Sequence, residues 1–394
     1  MKIKTENNTL TVFLEGRIDT GNAAQTESDL FSAVDSANGA DIVIDAEKLE
    51  YISSAGLRVL MRLAHRKDDD LKIINISRDV YDILETTGFT EMFDVHKAFR
   101  KVSVDGCEEI GSGGYGTVYR LDEETIIKVY TRSSFDVIES ERLMSQRAFV
   151  NKLPTAIPYD IVQVGDKYGV IYEMLDAKTV AQHIDADPEN LEKYVRPYAA
   201  ALRDFHKIEL SDELFKDKKL IFYNTADIVA PYLTDEENAE IKEFLDSIPE
   251  RRTFIHGDYN AKNVMLDDGR IMLIDIGDAG VGHPVFDLAG VWLYCFYTKK
   301  AQLPPEEIRR LMGFDTGLSE QVWDAFSKEY FQTENPERLA EINRKLMPLA
   351  LFTVAYHGIR RTAVPDEDAM QKRVEYLIRR SLLPAIRSGE RIDF

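Results

Sequence analysis

A segment in the C-terminal half of the chain combines a carboxylate and an amide at a spacing that suits phosphate chemistry. It reads H-G-D-Y-N-A-K-N over residues 256–263 and follows apolar Phe254-Ile255. Phosphoryl transfer needs a carboxylate beside the attacking hydroxyl and a second polar group on a metal ion. The spacing assigns the first role to Asp258 and the second to Asn263. Lys262 is a candidate to face the transferred phosphate, with a plain surface lysine as the alternative.

A second carboxylate follows twelve residues after Asn263. Asp275 ends the apolar pair Leu273-Ile274 and is followed by Ile276-Gly277, the layout of a metal-binding D-x-G. Mg²⁺ prefers oxygen ligands and keeps several waters, so one carboxylate, one amide and phosphate oxygens form a suitable set. The predicted metal is therefore Mg²⁺, with Asn263 and Asp275 as its ligands.

A glycine-rich segment precedes these residues. The sequence G-S-G-G-Y-G-T-V over residues 111–118 fits G-x-G-x-x-G-x-V, with Gly111, Gly113, Gly116 and Val118 at the fixed positions. Glycine lets backbone amides approach phosphates because no Cβ intervenes. A dinucleotide-binding loop would lead into a helix, whereas this one leads into a strand-like run, which favours a hairpin over ATP phosphates.

The next strand-like run, I-I-K-V over residues 126–129, carries Lys128. A strand lysine is usually a solvated edge charge. After a glycine-rich hairpin, however, Lys128 is well placed to pair the α and β phosphates of ATP. Such a lysine is oriented by a helix carboxylate, for which Glu141 is the first choice and Glu139 the alternative.

The element pattern supplies a frame for these residues. A second domain begins near Lys101 with three strand-like runs up to Tyr130, followed by a helix over about 134–152 and a hairpin over 161–174. From residue 180 the pattern is mainly helical, apart from a short β patch between Phe254 and Ile276. His206 lies in a helical segment without metal-spaced partners and is predicted to be a packing or surface residue.

Residues 1–100 alternate between strand and helix, which predicts a partly parallel sheet. Strands are expected over 9–14, 42–44 and 71–76, and helices over 24–37, after residue 56 and after Ser77. The sequence therefore predicts a small α/β domain, residues 1–100, in front of a larger domain, residues 101–394.

The composition of the chain argues against several partners and compartments. Lys plus Arg number 49 and Asp plus Glu number 69, so the net charge of −20 argues against a nucleic-acid partner. Two cysteines in 394 residues cannot form a disulfide framework, which favours a reducing compartment. Neither an apolar signal core nor a bilayer-length apolar run is present. We therefore expect a cytoplasmic protein with no membrane partner.

The motifs of the larger domain resemble the aminoglycoside phosphotransferase and choline-kinase-like group, relatives of protein kinases, over residues 105–295 or more. That group has H-G-D-x-x-x-x-N followed by I-D, with glycine where protein kinases have arginine; this chain has Gly257. The resemblance implies an α+β bilobal kinase-like fold, with an N-lobe over 101–175 and a mainly helical C-lobe over 176–394.

The resemblance also implies roles for individual residues. Asp258 would be the catalytic base, and ATP and Mg²⁺ the cofactors. Lys128 and Glu141 would anchor the nucleotide, and the backbone from Glu173 to Leu175 would form the adenine hinge. A further expected role is that of Asp287 as a structural brace of the catalytic loop.

One departure from protein kinases bears on the acceptor. Only eight residues separate Asp275 from Pro284, which leaves no room for a long activation segment, and no A-P-E follows. The expected activity is therefore transfer of the γ-phosphate of ATP to a hydroxyl of a small-molecule substrate.

The first domain resembles STAS domains of the anti-sigma-factor-antagonist type. The resemblance rests on S-S-A-G-L over residues 53–57 and F-L-E-G-R-I-D over residues 13–19. It implies a regulatory module with a protein partner and phosphorylation at Ser54. The alternative for Ser53 or Ser54 is a simple helix N-cap. The fusion of the two domains favours a second function: a signalling protein whose kinase-like domain phosphorylates Ser54 or binds a partner.

Overall fold

The computed structural model describes the chain except residues 7–8, 37–40, 68–70, 132, 212, 301–303 and 361–366. It divides into two compact units, one of Met1–Ser103 with Val162–Asp166 and the other of Val104–Ile161 with Lys167–Phe394. Each unit has its own hydrophobic core. Among the described helices, none is both long enough and apolar enough to cross a lipid bilayer.

The first unit is a five-stranded sheet in which helices connect the parallel strands. The strand order is β1-β2-β3-β4-β5; β1 is antiparallel to β2, and the remaining neighbours are parallel. The elements are β1 (Lys2–Glu6), β2 (Thr9–Ile18), α1 (Ala23–Asp35), β3 (Asp41–Ile52), α2 (Ser54–Lys67), β4 (Lys72–Ile76), α3 (Arg78–Thr86), a 3₁₀ turn (Phe89–Glu91) and β5 (Asp94–Lys97).

The sequence explains how these elements pack. Leu10 and Val12 are buried while their neighbours in β2 are partly exposed, as alternation requires. A Cβ on Gly56 would lie 2.7 Å from side-chain carbons of both Ile18 and Ile52. The glycine is therefore what lets the start of α2 lie against the ends of β2 and β3.

The predicted α/β pattern is confirmed, with corrections at its edges. Helix α1 ends at Asp35, and Ala37, where the prediction ends it, lies outside the described residues. Strands β1 and β5 have no alternating signal in the sequence, since β5 is only four residues long and half polar.

After Ser103 the chain forms an antiparallel sheet and one long helix, which belong to the second unit except for residues 162–164. The strand order is β6-β7-β8-β10-β9, and Ile138 of the helix packs with Tyr130, Val170 and Tyr172 of the sheet. The elements are β6 (Glu108–Ser112), β7 (Gly116–Arg120), β8 (Thr125–Tyr130), α4 (Phe135–Val150), β9 (Pro158–Val164) and β10 (Lys167–Glu173).

The rest of the unit is mainly helical, with two small sheets of order β11-β13-β14 and β12-β15. Strands β11 and β15 lie outside the predicted β patch because strands of two or three residues show no periodicity. The strands are β11 (Lys178–Thr179), β12 (Thr253–Ile255), β13 (Val264–Asp267), β14 (Arg270–Leu273) and β15 (Gly280–Gly282). The helices are α5 (Val180–Ala186), α6 (Leu191–Phe205), α7 (Lys219–Val229), α8 (Asp235–Ser247), α9 (Val285–Lys300), α10 (Pro305–Met312), α11 (Ser319–Phe331), α12 (Pro336–Arg360), α13 (Glu367–Arg373), a π-helix (Val374–Leu382) and α14 (Leu383–Ser388).

Candidate active site

Strand β8 presents Lys128 to two carboxylates. Its Nζ donates to Glu141 Oε1 of α4 at 2.7 Å and to Asp275 Oδ1 at 2.8 Å. Burial opposes the charge on the ammonium, but Asp275 and Glu141 outweigh it, so the pKa of Lys128 is raised above its usual value. Lys128 therefore stays protonated at neutral pH. Through its two ion pairs it connects strand β8 to helix α4 and to the segment after β14.

The backbone around Asp275 is shaped to reach this point. Asp275 has left-handed dihedrals, φ 59° and ψ 51°, a conformation that among non-glycine residues is adopted mainly by asparagine and aspartate. Gly277 follows, and a Cβ there would lie 2.9 Å from Glu141 Cγ. The glycine of the D-x-G motif thus lets the Glu141 side chain lie directly against this segment.

The glycine-rich segment is a hairpin turn between β6 and β7. Gly113 N–H donates to the Gly116 carbonyl at 2.9 Å, and a Cβ on Gly116 would lie 2.3 Å from the Val129 carbonyl oxygen. Val118 pairs in register with both Gly111 and Lys128. The hairpin is therefore packed against the strand that carries Lys128, while a Cβ on Gly113 would meet only open space.

The Asp258 carboxylate is held by three donors. Oδ1 accepts from Asn260 Nδ2 at 3.0 Å and from Tyr294 OH at 3.1 Å, and Oδ2 accepts from Asn263 Nδ2 at 2.9 Å. Burial raises the pKa of Asp258, and repulsion from Asp275 adds to this effect, while His256, Asn260 and Tyr294 oppose it. A carboxylate of raised pKa is a better proton acceptor for a general base.

The side-chain amide of Asn263 uses its nitrogen in hydrogen bonds within the loop. Its Nδ2 donates to both the carbonyl and the carboxylate of Asp258, which leaves Oδ1 as the atom that can coordinate a cation. With a carboxylate oxygen of Asp275, this is an oxygen donor pair of the kind that Mg²⁺ takes together with waters and phosphate oxygens. No cluster of three or more His, Cys, Asp or Glu suited to a metal occurs among the described residues.

Asp287 fixes the start of the segment 256–263, the candidate catalytic loop. It accepts the backbone N–H groups of His256 at 2.9 Å and Gly257 at 2.8 Å, and His206 Nε2 lies 3.2 Å from its Oδ2. Burial alone would raise the pKa of this carboxyl, but His206, His256 and the amides lower it below its usual value. Asp287 therefore makes the contacts of a brace.

Two further contacts hold the loop from other sides. His256 Nδ1 accepts from Asp258 N–H at 3.3 Å, so Nε2 carries the proton toward the Ile274 carbonyl at 3.2 Å. Tyr259 and Tyr198 stack with ring centroids 4.7 Å apart, and each hydroxyl donates to the other residue's carbonyl. Asp258 is thus carried on a loop that contacts with several elements hold in place.

Gly257 is required by the packing. Its φ is +84°, and a Cβ would lie 2.2 Å from the Asp278 carbonyl oxygen and 2.7 Å from Lys218 Nζ. Lys218 is buried and donates to that same carbonyl at 2.6 Å. Burial lowers its pKa despite nearby carboxylates. The arginine of protein kinases cannot occupy position 257 here, because the Lys218 ammonium already lies beside it.

The remaining candidates lie at the margins of this site. Lys262 is exposed and donates from Nζ to the Arg310 carbonyl at 3.0 Å, so the structure directs its ammonium to α10 and away from Asp258. Glu173 ends β10, and the next residue, Met174, donates its N–H to the Glu124 carbonyl at 2.7 Å. Leu175 packs on the core beneath α4.

In the first unit, the two candidate serines have different environments. Ser53 Oγ accepts the N–H of Gly56 at 3.4 Å, which makes Ser53 the weakly bonded N-cap. Ser54 is the first residue of α2 and is exposed. The N-cap alternative therefore applies to Ser53, and the hydroxyl of Ser54 is accessible.

Sequence reasoning did not predict the contacts that three residues make with the site. Tyr294 reaches Asp258 from α9, Lys218 reaches the Asp278 carbonyl from the start of α7, and His206 reaches Asp287 from the end of α6. They lie 36, 60 and 81 residues from those partners, so no local spacing pattern links them.

The geometry and the two-lobed arrangement of the second unit define a kinase-like phosphotransferase fold. A family model described as the phosphotransferase enzyme family, APH, matches residues 106–317, and a STAS domain model matches residues 1–103. The chain belongs to the APH phosphotransferase enzyme family, with a STAS domain at its N-terminus.

A curated relative matches the first unit. The chain is 34% identical over 85 residues, 21% of its own length and 72% of the relative's, to a Bordetella bronchiseptica protein described as an anti-sigma factor antagonist, BtrV.

Solved structures resemble the chain at lower identity. Aminoglycoside phosphotransferase APH(2'')-Ib, ADP-bound, has a TM-score of 0.46 and 21% identity, covering 70% of this chain and 92% of that one. A choline/ethanolamine kinase family protein from Mesorhizobium loti has a TM-score of 0.41 and 12% identity, covering 72% and 92%.

Proposed function

We propose that this phosphotransferase moves the γ-phosphate of ATP to a hydroxyl of a small molecule. The observation that carries the proposal is the Lys128 ammonium, 2.7 Å from Glu141 and 2.8 Å from Asp275. A lysine oriented by a helix carboxylate and next to a metal-binding aspartate is the arrangement that phosphoryl transfer requires for its nucleotide.

In the proposed reaction Asp258 is the catalytic base. The acceptor hydroxyl gives its proton to the carboxylate as its oxygen bonds to the γ-phosphorus, and the bond to the leaving oxygen of ADP breaks. The raised pKa of Asp258 favours proton acceptance, and the amides of Asn260 and Asn263 hold the carboxylate in one orientation.

The nucleotide is assigned to the hairpin and the hinge. The backbone at Gly111, Gly113 and Gly116, with Val118 beside them, would cover the phosphates, and the backbone from Glu173 to Leu175 would receive the adenine. Asn263 Oδ1 and the Asp275 carboxylate would hold Mg²⁺, which when bound neutralises phosphate charge.

The short segment after Asp275 favours a small acceptor over a protein. Aminoglycosides, choline-like amines, sugars and amino alcohols are the classes to compare. The test is a panel of such compounds assayed for acceptor-dependent ADP release from Mg-ATP, with Lys128→Ala as the matched inactive control. The proposal expects one class to stimulate release in the wild type and not in the variant. Stimulation that survives Lys128→Ala would contradict it.

One observation favours a second function: Ser54 is exposed, and the cap of the helix is its neighbour Ser53. A phosphate at a helix start meets free amides and the positive end of the dipole, and adds about −1.5 to −2 charges. In this alternative the STAS domain is a switch that the kinase-like domain or a partner kinase phosphorylates.

Mass spectrometry after incubation with Mg-ATP tests the alternative. Phosphate on Ser54 that disappears in Asp258→Asn would support self-phosphorylation. A protein mass that is unchanged after many turnovers of a small acceptor would support the small-molecule reaction and contradict self-phosphorylation. Ser54→Asp is expected to alter activity or partner binding only if the switch exists, with Ser54→Ala as its control.

A further inference from the structure

The Asp258 carboxylate has one donor that comes from outside its own loop. Asn260 and Asn263 belong to the catalytic loop, and each also donates to the Asp258 carbonyl, at 3.2 Å and 3.0 Å. Tyr294 comes from α9 and donates its hydroxyl to Oδ1 at 3.1 Å. Among these three donors, the tyrosine is the one that can leave without disrupting the loop.

An attacking hydroxyl needs a contact of the same kind with Asp258. To pass its proton to the base, it has to lie within hydrogen-bond distance of a carboxylate oxygen. Each carboxylate oxygen accepts about two hydrogen bonds, and both positions of Oδ1 are filled, by Asn260 and Tyr294. The phenol of Tyr294 therefore occupies a position on Asp258 that suits an acceptor hydroxyl or a water molecule.

The surroundings of the ring permit its displacement. Tyr294 and Asn260 border a cavity of about 20 Å³ whose other walls include Val291, Cys295 and Leu311. This space is lined mostly by apolar side chains, against which the ring can pack. A small shift of the ring toward the cavity would release Oδ1.

We propose that the Tyr294 hydroxyl occupies the acceptor's position on Asp258 and thereby suppresses transfer of the γ-phosphate to water. This inference rests on the proposed function. In the suppressed reaction a water oxygen bonds to the γ-phosphorus, the bond to the β–γ bridging oxygen breaks, ADP leaves, and the water proton passes to Asp258 and then to solvent. Tyr294 is in this sense a positioning residue that favours an organic acceptor over water.

The test is ADP release from Mg-ATP by the full chain without added acceptor. Tyr294→Phe keeps the ring and removes the hydroxyl, and a hydrogen bond to a charged group is strong enough for its loss to change a rate by about tenfold or more. We expect hydrolysis to rise by that factor. Tyr194 lies on α6, and Tyr194→Phe, which removes a hydroxyl bonded to Asp187, should leave the rate unchanged.

The double variant Tyr294→Phe/Asp258→Asn separates this role from a structural one, because the added hydrolysis must vanish with the base. Unchanged or lower hydrolysis in a folded Tyr294→Phe that still binds Mg-ATP by calorimetry would overturn the inference alone. Phosphate found on Tyr294 would also overturn it, since the hydroxyl would then be a substrate. Absence of Mg-ATP binding in the wild type would overturn the proposed function as well.

Discussion

At the scale of the residue, Asp275 has an observed contact and a proposed one. Its carboxylate accepts from Lys128, and it is also the candidate ligand for Mg²⁺. One carboxylate can serve both because it has two oxygens, of which Oδ1 faces Lys128.

Asp275→Ala should therefore abolish Mg²⁺-dependent nucleotide binding, since it removes the carboxylate of the proposed pair of Mg²⁺ ligands. Calorimetry with ATP, with and without Mg²⁺, measures this. Asp267→Ala, which removes an exposed carboxylate paired with Arg270, is the control and should bind as the wild type. Unchanged Mg-ATP affinity in Asp275→Ala would reject the metal role.

Cys295 lines the cavity beside Tyr294, so the reactivity of its thiol reports whether α9 is packed as described. Burial raises the pKa of the Cys295 thiol to about 12, so at pH 8 it is neither ionised nor accessible. A disulfide-exchange reagent should modify one thiol per native chain, the partly exposed Cys107, and two in denaturant. Rapid modification of both in the native state would mean that α9 is not packed as described.

At the scale of the element, the two serines at the start of α2 differ: Ser53 caps the helix and Ser54 is exposed. Ser53→Ala removes the N-cap bond to Gly56 and should lower the free energy of unfolding by about 1 kcal/mol or somewhat less, because the bond is long. Ser54→Ala should leave it nearly unchanged. Denaturant unfolding measures both, and equal losses would contradict the assignment of the cap.

The elements also show what the sequence could and could not predict. The alternation around Lys128 and the H-G-D and I-D spacings are local, so the strand, the loop and their candidate residues were predictable. The pairing of β12 with β15, a strand of three residues containing two glycines, depends on tertiary packing. The same holds for Tyr294 and Lys218, whose roles arise only when distant helices meet the loop.

At the scale of the whole molecule, the two units have separate cores, which predicts that they fold separately. Residues 105–394 expressed alone should unfold cooperatively and retain Mg-ATP turnover. Circular dichroism and ADP release measure these properties, with the full chain as reference. An insoluble or inactive fragment would show that the STAS domain is needed for the catalytic domain and is not a passive addition.

The central claim is that Asp258 is the base of an ATP-dependent phosphotransfer. The most direct measurement compares Asp258→Asn with the wild type for Mg-ATP affinity by calorimetry and for turnover with the acceptor that the panel identifies. The variant removes the base and leaves Lys128, Asn263 and Asp275 in place. We predict similar affinity and a turnover lower by roughly 10²–10⁴-fold. Turnover close to that of the wild type would contradict the account.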